Sequence, residues 1–318
     1  MKNIVAFLVF CLILFFYLHI FYHIKTSDDL EIYEIDEPSK EKLEEICDLR
    51  QPVIFKLDND YLLDNCSFDS MHSSHSAFDV KVRNVNDDNK EELYIPLTLE
   101  ATKKLFDSDN DSVYFTEKNS DFLEETGLVK HYKYHDEFFR PYLVSNCNYD
   151  MMSGSSETTT PLRYNLNYRN YYIATQGEVT IKLTPPSNKK YLYPIKDYDN
   201  FEFRSAINPW NPDPKYKADM NKMKFLEITL KKGEVVFIPA YWWYSIKFGD
   251  NSSLITMKYK TYMNNIAISP DIFMHMLQNQ NIKHQVVRKF DSIKPIDANK
   301  EITKANETTT QDVKESES

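Results

Sequence analysis

The chain has 318 residues, 42% hydrophobic and 14% aromatic, enough to bury a sizeable core in one large domain with appendages. Its net charge of -10 disfavours nucleic-acid binding, which needs a basic face to neutralise phosphates. Glycine occurs five times while Asn, Lys, Tyr and Ile are abundant, a bias of AT-rich genomes such as those of large DNA viruses or certain protists.

Residues 4–22 are apolar except for His19. As a helix they would rise roughly 28 Å at ~1.5 Å per residue, close to the thickness of a bilayer core. The stretch ends Tyr17-Leu18-His19-Ile20-Phe21-Tyr22, without the small residues of a cleavage site. That favours a single-pass, uncleaved signal anchor over residues 1–24 against the alternative, a secretory signal peptide. Lys2 and the amino terminus on one side, against Lys25 on the other, lean towards a cytoplasmic N-terminus and a lumenal or external globular part. Acceptor triplets at Asn65, Asn110, Asn251 and Asn306 are candidates for glycosylation in such a location.

Residues 25–38 are polar and acidic and read as a stalk. Helical spacing follows over 39–49, with Leu43, Ile46 and Cys47 on one face and Ser39 as cap, and then a strand over 51–55. Further helices are expected at 98–106 and 121–126, with a loop over 109–119. Cys47, Cys66 and Cys147 allow at most one disulfide, since Cys11 lies in the apolar segment. His131 with His135, and His72 with His75, have helix-face spacing, but two imidazoles make an incomplete zinc site and exposed loop histidines are the plainer reading. The acidic run 107–111 lacks the central Gly and closing Glu of a calcium loop.

Residues 171–183 read as a two-stranded hairpin turning at Gln176-Gly177. The stretch 207–220, with three prolines, reads as an exposed connection. Strands are expected at 225–230, 235–239, 243–248 and 253–262, and a helical segment at 269–290. The tail 294–318 is charged, Thr/Ser-rich and free of aromatics, the composition of a disordered segment.

Two segments carry the chemistry. One runs Thr160-Pro161-Leu162-Arg163-Tyr164-Asn165, continues through Asn170 and reaches Gly177-Glu178-Val179 and Leu183-Thr184-Pro185-Pro186; the other is GEVVFIPAYWWYSI over 233–246. Together they resemble the JmjC and cupin-like hydroxylases, nearest the asparaginyl-hydroxylase branch. In that family one strand carries His-x-Asp, a later one carries a His directly after the Trp-Trp pair, and a Lys two residues after the Gly anchors 2-oxoglutarate. The resemblance spans about 35–290, with its specific motifs within 160–262. It implies a mainly β fold: a double-stranded β-helix of the cupin or jelly-roll type, two antiparallel sheets closing a squashed barrel at about 160–262. Flanking helices complete a domain over 39–293.

At the matching positions this chain has Arg163, Asn165, Tyr244 and Val179. Non-haem Fe(II) oxygenases hold the metal with two imidazoles and a carboxylate. A guanidinium has no lone pair to give, a neutral amide oxygen is a poor ligand, and an unperturbed phenol stays protonated to about pH 10. None of the eight histidines lies between Pro161 and Tyr262, so a shifted register does not restore the site. The expectation is therefore a degenerate metal triad with no metal and no cofactor, in a membrane-anchored, catalytically inactive domain with a binding or structural role. Its partner would be an unidentified protein or glycan, and residues 269–290 could either form a homodimer or pack on their own barrel.

Arg163 has two readings: part of a hydrogen-bonded polar plug in the space iron would fill, or the anchor of an anion pocket. Trp242 and Trp243 read as core or rim residues. The alternatives are an Fe(II)/2-oxoglutarate-dependent protein hydroxylase with non-standard ligands, or an enzyme acting on sugars or phosphates through Arg163 with Glu178 or Glu227.

Overall fold

The computed structural model describes residues 2–86 and 93–281. Residues 2–276 form one body; of a second unit beginning at Leu277, the described part is the helical stretch 277–281. Asn306, the tail 294–318 and the end of the expected 269–290 segment lie outside the described residues.

The chain opens with helix α1 (Lys2–Ile24), long and apolar enough to cross a membrane, with side chains exposed except towards its C-terminal end. Strand β1 (Tyr33–Ile35) lies within the stretch read as a stalk; the extended backbone there pairs in parallel with β2 (Val53–Lys56), across α2 (Lys40–Cys47). The Ser39 hydroxyl caps α2 by accepting from Lys42 N–H, as its position before the apolar face predicts. Helices α3 (Asp60–Asn65) and α4 (Phe68–His75) are capped in the same way by Asn59 and Ser67. Next come β3 (Asp79–Asn84), β4 (Ile95–Thr98), α5 (Leu99–Ser108), β5 (Tyr114–Thr116), α6 (Ser120–Glu125), α7 (Val129–His135) and β6 (Val144–Gly154). The expected loop over 109–119 is thus interrupted by β5, which completes the ladder between β3 and β6.

The second half contributes β7 (Arg163–Tyr164), β8 (Arg169–Gln176), β9 (Glu178–Thr184), β10 (Pro194–Asp197), β11 (Glu202–Ser205) and α8 (Lys217–Met220). It continues with β12 (Leu226–Lys231), β13 (Glu234–Phe237), β14 (Trp243–Phe248), β15 (Ser253–Thr261), α9 (Tyr262–Ala267) and α10 (Ser269–Asn281).

The strands form two sheets, a nine-stranded one in the order β1-β2-β13-β8-β15-β6-β5-β3-β4 and a six-stranded one in the order β10-β11-β7-β14-β9-β12. The larger sheet thus draws on strands well before residue 160. β8 and β9 do not form the expected hairpin: β8 lies between β13 and β15 in one sheet, β9 between β14 and β12 in the other. Gly177 turns the chain from sheet to sheet at φ +64°, and a Cβ there would meet Ser252 Cα at 2.9 Å.

β8 is buried along nearly its whole length because both its faces are covered. Tyr172 and Ala174 point between the sheets, meeting Val179, Ile181, Leu183, Leu230, Ile246 and Phe248 in the barrel interior. Tyr171 and Ile173 point outward into a second core shared with Leu43, Leu62, Phe122, Tyr132 and Phe139 of the helical layer. Period-two alternation places these neighbours on opposite faces. A third core joins Leu162, Tyr164, Phe203 and Trp243 at one end of the six-stranded sheet.

A candidate site built on a buried ion-pair network

Of the residues singled out in sequence, Arg163, Asn165 and Tyr244 are brought together. Arg163 faces Tyr244 across the β7–β14 ladder and Arg204 across β7–β11. Its guanidinium carbon lies 5.7 Å from the Tyr244 ring centroid. Asn165, just past β7, donates its amide N–H to Tyr172 Oη at 2.9 Å and to Tyr244 Oη at 3.2 Å. Arg163 is in contact with the aromatic face rather than hydrogen-bonded to Asn165 or the phenol.

The hydrogen bonds of Arg163 run to two carboxylates that sequence spacing did not single out. Nη1 donates to Glu117 Oε1 at 2.9 Å and to Glu202 Oε1 at 3.2 Å, and Nη2 donates to Glu117 Oε2. Arg83 Nη1 donates to Glu202 at 2.9 Å and contacts Glu117 at 3.4 Å. Tyr94 Oη closes the cluster by donating to Glu117 Oε1 at 2.8 Å. The two arginines and two glutamates are buried, so two positive and two negative charges balance where solvent does not screen them.

Burial alone would raise the Glu117 carboxyl; Arg163, and then Arg83, outweigh it and hold the group far below the usual carboxylate range. Burial works against the charge on Arg163, and Glu117 more than restores it. Tyr172 is held well above the usual phenol range by burial beside Tyr244, so it stays protonated. Asp150 is also raised by burial, although it accepts from the backbone N–H groups of Lys118 and Asn119, each at 2.7 Å.

A cavity of about 360 Å³ opens beside this cluster, lined among others by Arg163, Asn165, Tyr244, Lys118, Asp150 and Lys258. Val179 is not part of it. Its side chain is fully buried in the barrel interior on β9, opposite Leu230 and Phe248. Trp242 also packs in the interior and donates its indole N–H to Arg50 O at 3.2 Å, whereas Trp243 packs on Tyr164 in the third core, at 4.7 Å between ring centroids.

Other candidates lie elsewhere. Glu178 and Glu227 are exposed and pair with Lys231 and Lys182. His72 pairs with Glu100 at 2.7 Å, while His131 and His135 flank the Tyr61 ring. Cys11, Cys47, Cys66 and Cys147 are free thiols. Among the described residues no group of three or more His, Cys, Asp or Glu side chains is placed to hold a metal ion. Asn110 and Asn251 are exposed; Asn65 is half-buried and donates to Tyr61 O at 2.7 Å.

The two sheets with their apolar interior and helical cover define a cupin-like, JmjC-type domain, the architecture of the 2-oxoglutarate oxygenases. A model of the Cupin-like domain family matches residues 38–267, and the protein belongs to that family. Similarity to individual curated proteins is more local. HSPB1-associated protein 1 of Homo sapiens is 32% identical over 95 residues, covering 30% of this chain and 20% of that protein. JmjC domain-containing protein D of Dictyostelium discoideum is 30% identical over 94 residues, with 30% and 21% covered. Lysine-specific demethylase JMJ31 of Arabidopsis thaliana is 27% identical over 133 residues, with 41% and 24% covered. The chain thus spans a fifth to a quarter of the length of these relatives.

The donor set here does not fit the iron and 2-oxoglutarate of that family. At the positions that the motif resemblance pairs with the ligands stand a carboxylate-bound guanidinium, an amide and a phenol, and at the one it pairs with the co-substrate anchor an apolar side chain packed between strands.

Proposed function

We propose that this is a membrane-anchored, catalytically silent cupin-like domain that acts in binding or as a structural component. The observation that carries the reading is the engagement of Arg163 by Glu117 and Glu202. The cation at the first ligand position is already neutralised by buried carboxylates, which supports a polar plug over an anion pocket anchored on Arg163. Val179 supports the same conclusion at the co-substrate position.

Helix α1 supports the anchor, being 23 residues long and apolar almost throughout. Exposed acceptor sites at Asn110 and Asn251 support a lumenal or external domain carrying glycans. Exposed Phe273, Met274 and Met276 on α10 support self-association through that helix. The name of HSPB1-associated protein 1 records association with a protein, which supports a protein partner here. The glycine-poor composition supports an AT-rich source such as a large DNA virus.

The test is 2-oxoglutarate binding by the detergent-solubilised full chain, followed by ligand-observed NMR with Mn(II) present as an oxygen-stable substitute for iron. No change in 2-oxoglutarate relaxation beyond a protein-free control is expected. Saturable binding would reject the reading.

A further inference from the structure

The end of α1 is packed on the domain. His23 is 7% exposed, lies 5.2 Å from the Tyr168 ring, and has Nε2 3.4 Å from Thr261 Oγ1; the Tyr22 ring lies 5.0 Å from the Arg50 guanidinium carbon. A cavity of about 490 Å³ runs along this contact, lined on the helix side by Leu18, His19, Tyr22 and His23, and on the domain side by Pro141, Tyr142, Leu143 and Met263 among others. The helix and domain are therefore joined without an intervening free tether at this point.

Beside that contact the domain exposes large apolar side chains. Tyr142 is 71% exposed, Leu143 74% and Tyr262 62%. Tyr262 N–H donates to Leu143 O at 3.3 Å, which ties the loop before β6 to the start of α9. Leu143 is held at φ +54°, a left-handed conformation uncommon for such a residue, and its side chain projects away from the fold. Lys40 Nζ stands 5.7 Å from the Tyr142 ring centroid, adding a cation at the same level.

Helix geometry fixes the depth of this patch. A bilayer core of ~30 Å takes about 20 helical residues, so a span starting near Ile4 ends near His23. Leu18 lies five residues earlier, about 8 Å inside that boundary at ~1.5 Å per residue. A domain that packs on α1 at Tyr22 and His23, and shares a cavity with Leu18 and His19, brings Tyr142 and Leu143 to the level of the headgroups and upper acyl chains. Tyrosines enrich that zone because the ring is apolar and the hydroxyl is wet.

We infer that the face formed by Tyr142, Leu143 and Tyr262 seats on the same bilayer that α1 spans, holding the domain against the lipid surface at a fixed height. The inference rests on the anchored reading above. The far end of β15, next to Asp250 and the acceptor Asn251, then points away from the membrane. A nine-residue strand separates it from Tyr262 by about 30 Å.

The experiment uses the full chain in phosphatidylcholine/phosphatidylglycerol vesicles, with Cys11→Ala and Cys147→Ser leaving only the two buried thiols, Cys47 and Cys66. A polarity-sensitive fluorophore is attached at Leu143→Cys or, as the distal control, at exposed Asp250→Cys. Both replaced side chains are exposed, and unchanged thermal unfolding checks that each variant folds. Lipids bearing a nitroxide just below the headgroup are expected to quench the probe at 143 several-fold more than the probe at 250, with a blue-shifted emission at 143. Equal, weak quenching at both positions in protein that resists carbonate extraction would overturn the seating face alone. Release of the protein by carbonate would overturn the anchored reading and the seating face with it.

Discussion

Arg163 and Tyr244 face each other across the β7–β14 ladder, with the guanidinium over the phenol ring and its N–H groups turned to Glu117 and Glu202. On the motif resemblance proposed above, this pair would stand at two of the three iron-ligand positions. Here one member is a cation locked in a buried network, and the other accepts a hydrogen bond from Asn165.

Arg163→Met should destabilise the protein by about 3–5 kcal/mol, because Glu117 loses its closest partner inside the fold. The double variant with Glu117→Gln leaves Arg83 paired with Glu202 and should cost less than the sum of the single changes, by about 1–3 kcal/mol. Denaturant unfolding of the four proteins checks the cycle. Additive costs would mean that Arg163 and Glu117 do not act as a pair.

The same network sets an acid sensitivity. The folded Glu117 carboxyl lies far below its unfolded value, so its contribution is fully present above the unfolded value and is lost as pH falls towards the folded one. Melting temperatures of wild type and Glu117→Gln should therefore converge between about pH 5 and pH 2. A gap that stays constant across this window would contradict the assignment.

Gly177→Ala tests the corner between the sheets. The positive φ and the Cβ contact with Ser252 backbone should cost at least about 1–3 kcal/mol, read as a lower denaturant midpoint. A neutral result would mean that the turn relaxes without disturbing β9.

Thiol chemistry provides a probe of packing. Burial raises Cys47 to about 11 and Cys66 to about 12, and both are shielded from solvent. In a Cys11→Ala background at pH 8, an aromatic disulfide reagent should modify half-buried Cys147 first, and Cys47 and Cys66 only on unfolding. Fast reaction of Cys47 and Cys66 in native protein would contradict the helical layer over the large sheet.

Much of the barrel was legible because its strands carry local signals. Alternation and β-branched residues over 171–183 marked β8 and β9, the strands expected over 225–262 match β12 to β15, and Ser39 marked the start of α2. Pairing was less accessible. Gly177 reads as a hairpin turn from its neighbours alone, whereas its use as a corner depends on β13 and β15 flanking β8. Arg163, Asn165 and Tyr244 stood out through motif spacing. Glu117, Glu202 and Arg83 did not, since they lie far away in sequence and only the folded ladders bring them together. The one available clue was physical: an arginine expected inside a barrel needs a carboxylate, but the chain offers many. Short strands such as β1 at the sheet edge and β5 between β3 and β6 carry too few residues to show a period, and tertiary pairing decides them.

On the proposed reading, Arg163, Asn165 and Tyr244 form part of a buried polar plug that holds no iron. The most direct measurement is anaerobic equilibrium dialysis of the full chain against Fe(II), with bound metal quantified by mass spectrometry. The account expects iron at the level of a protein-free detergent control, unchanged in Arg163→Met. One equivalent of iron per chain, lost on changing Asn165 or Tyr244, would contradict it.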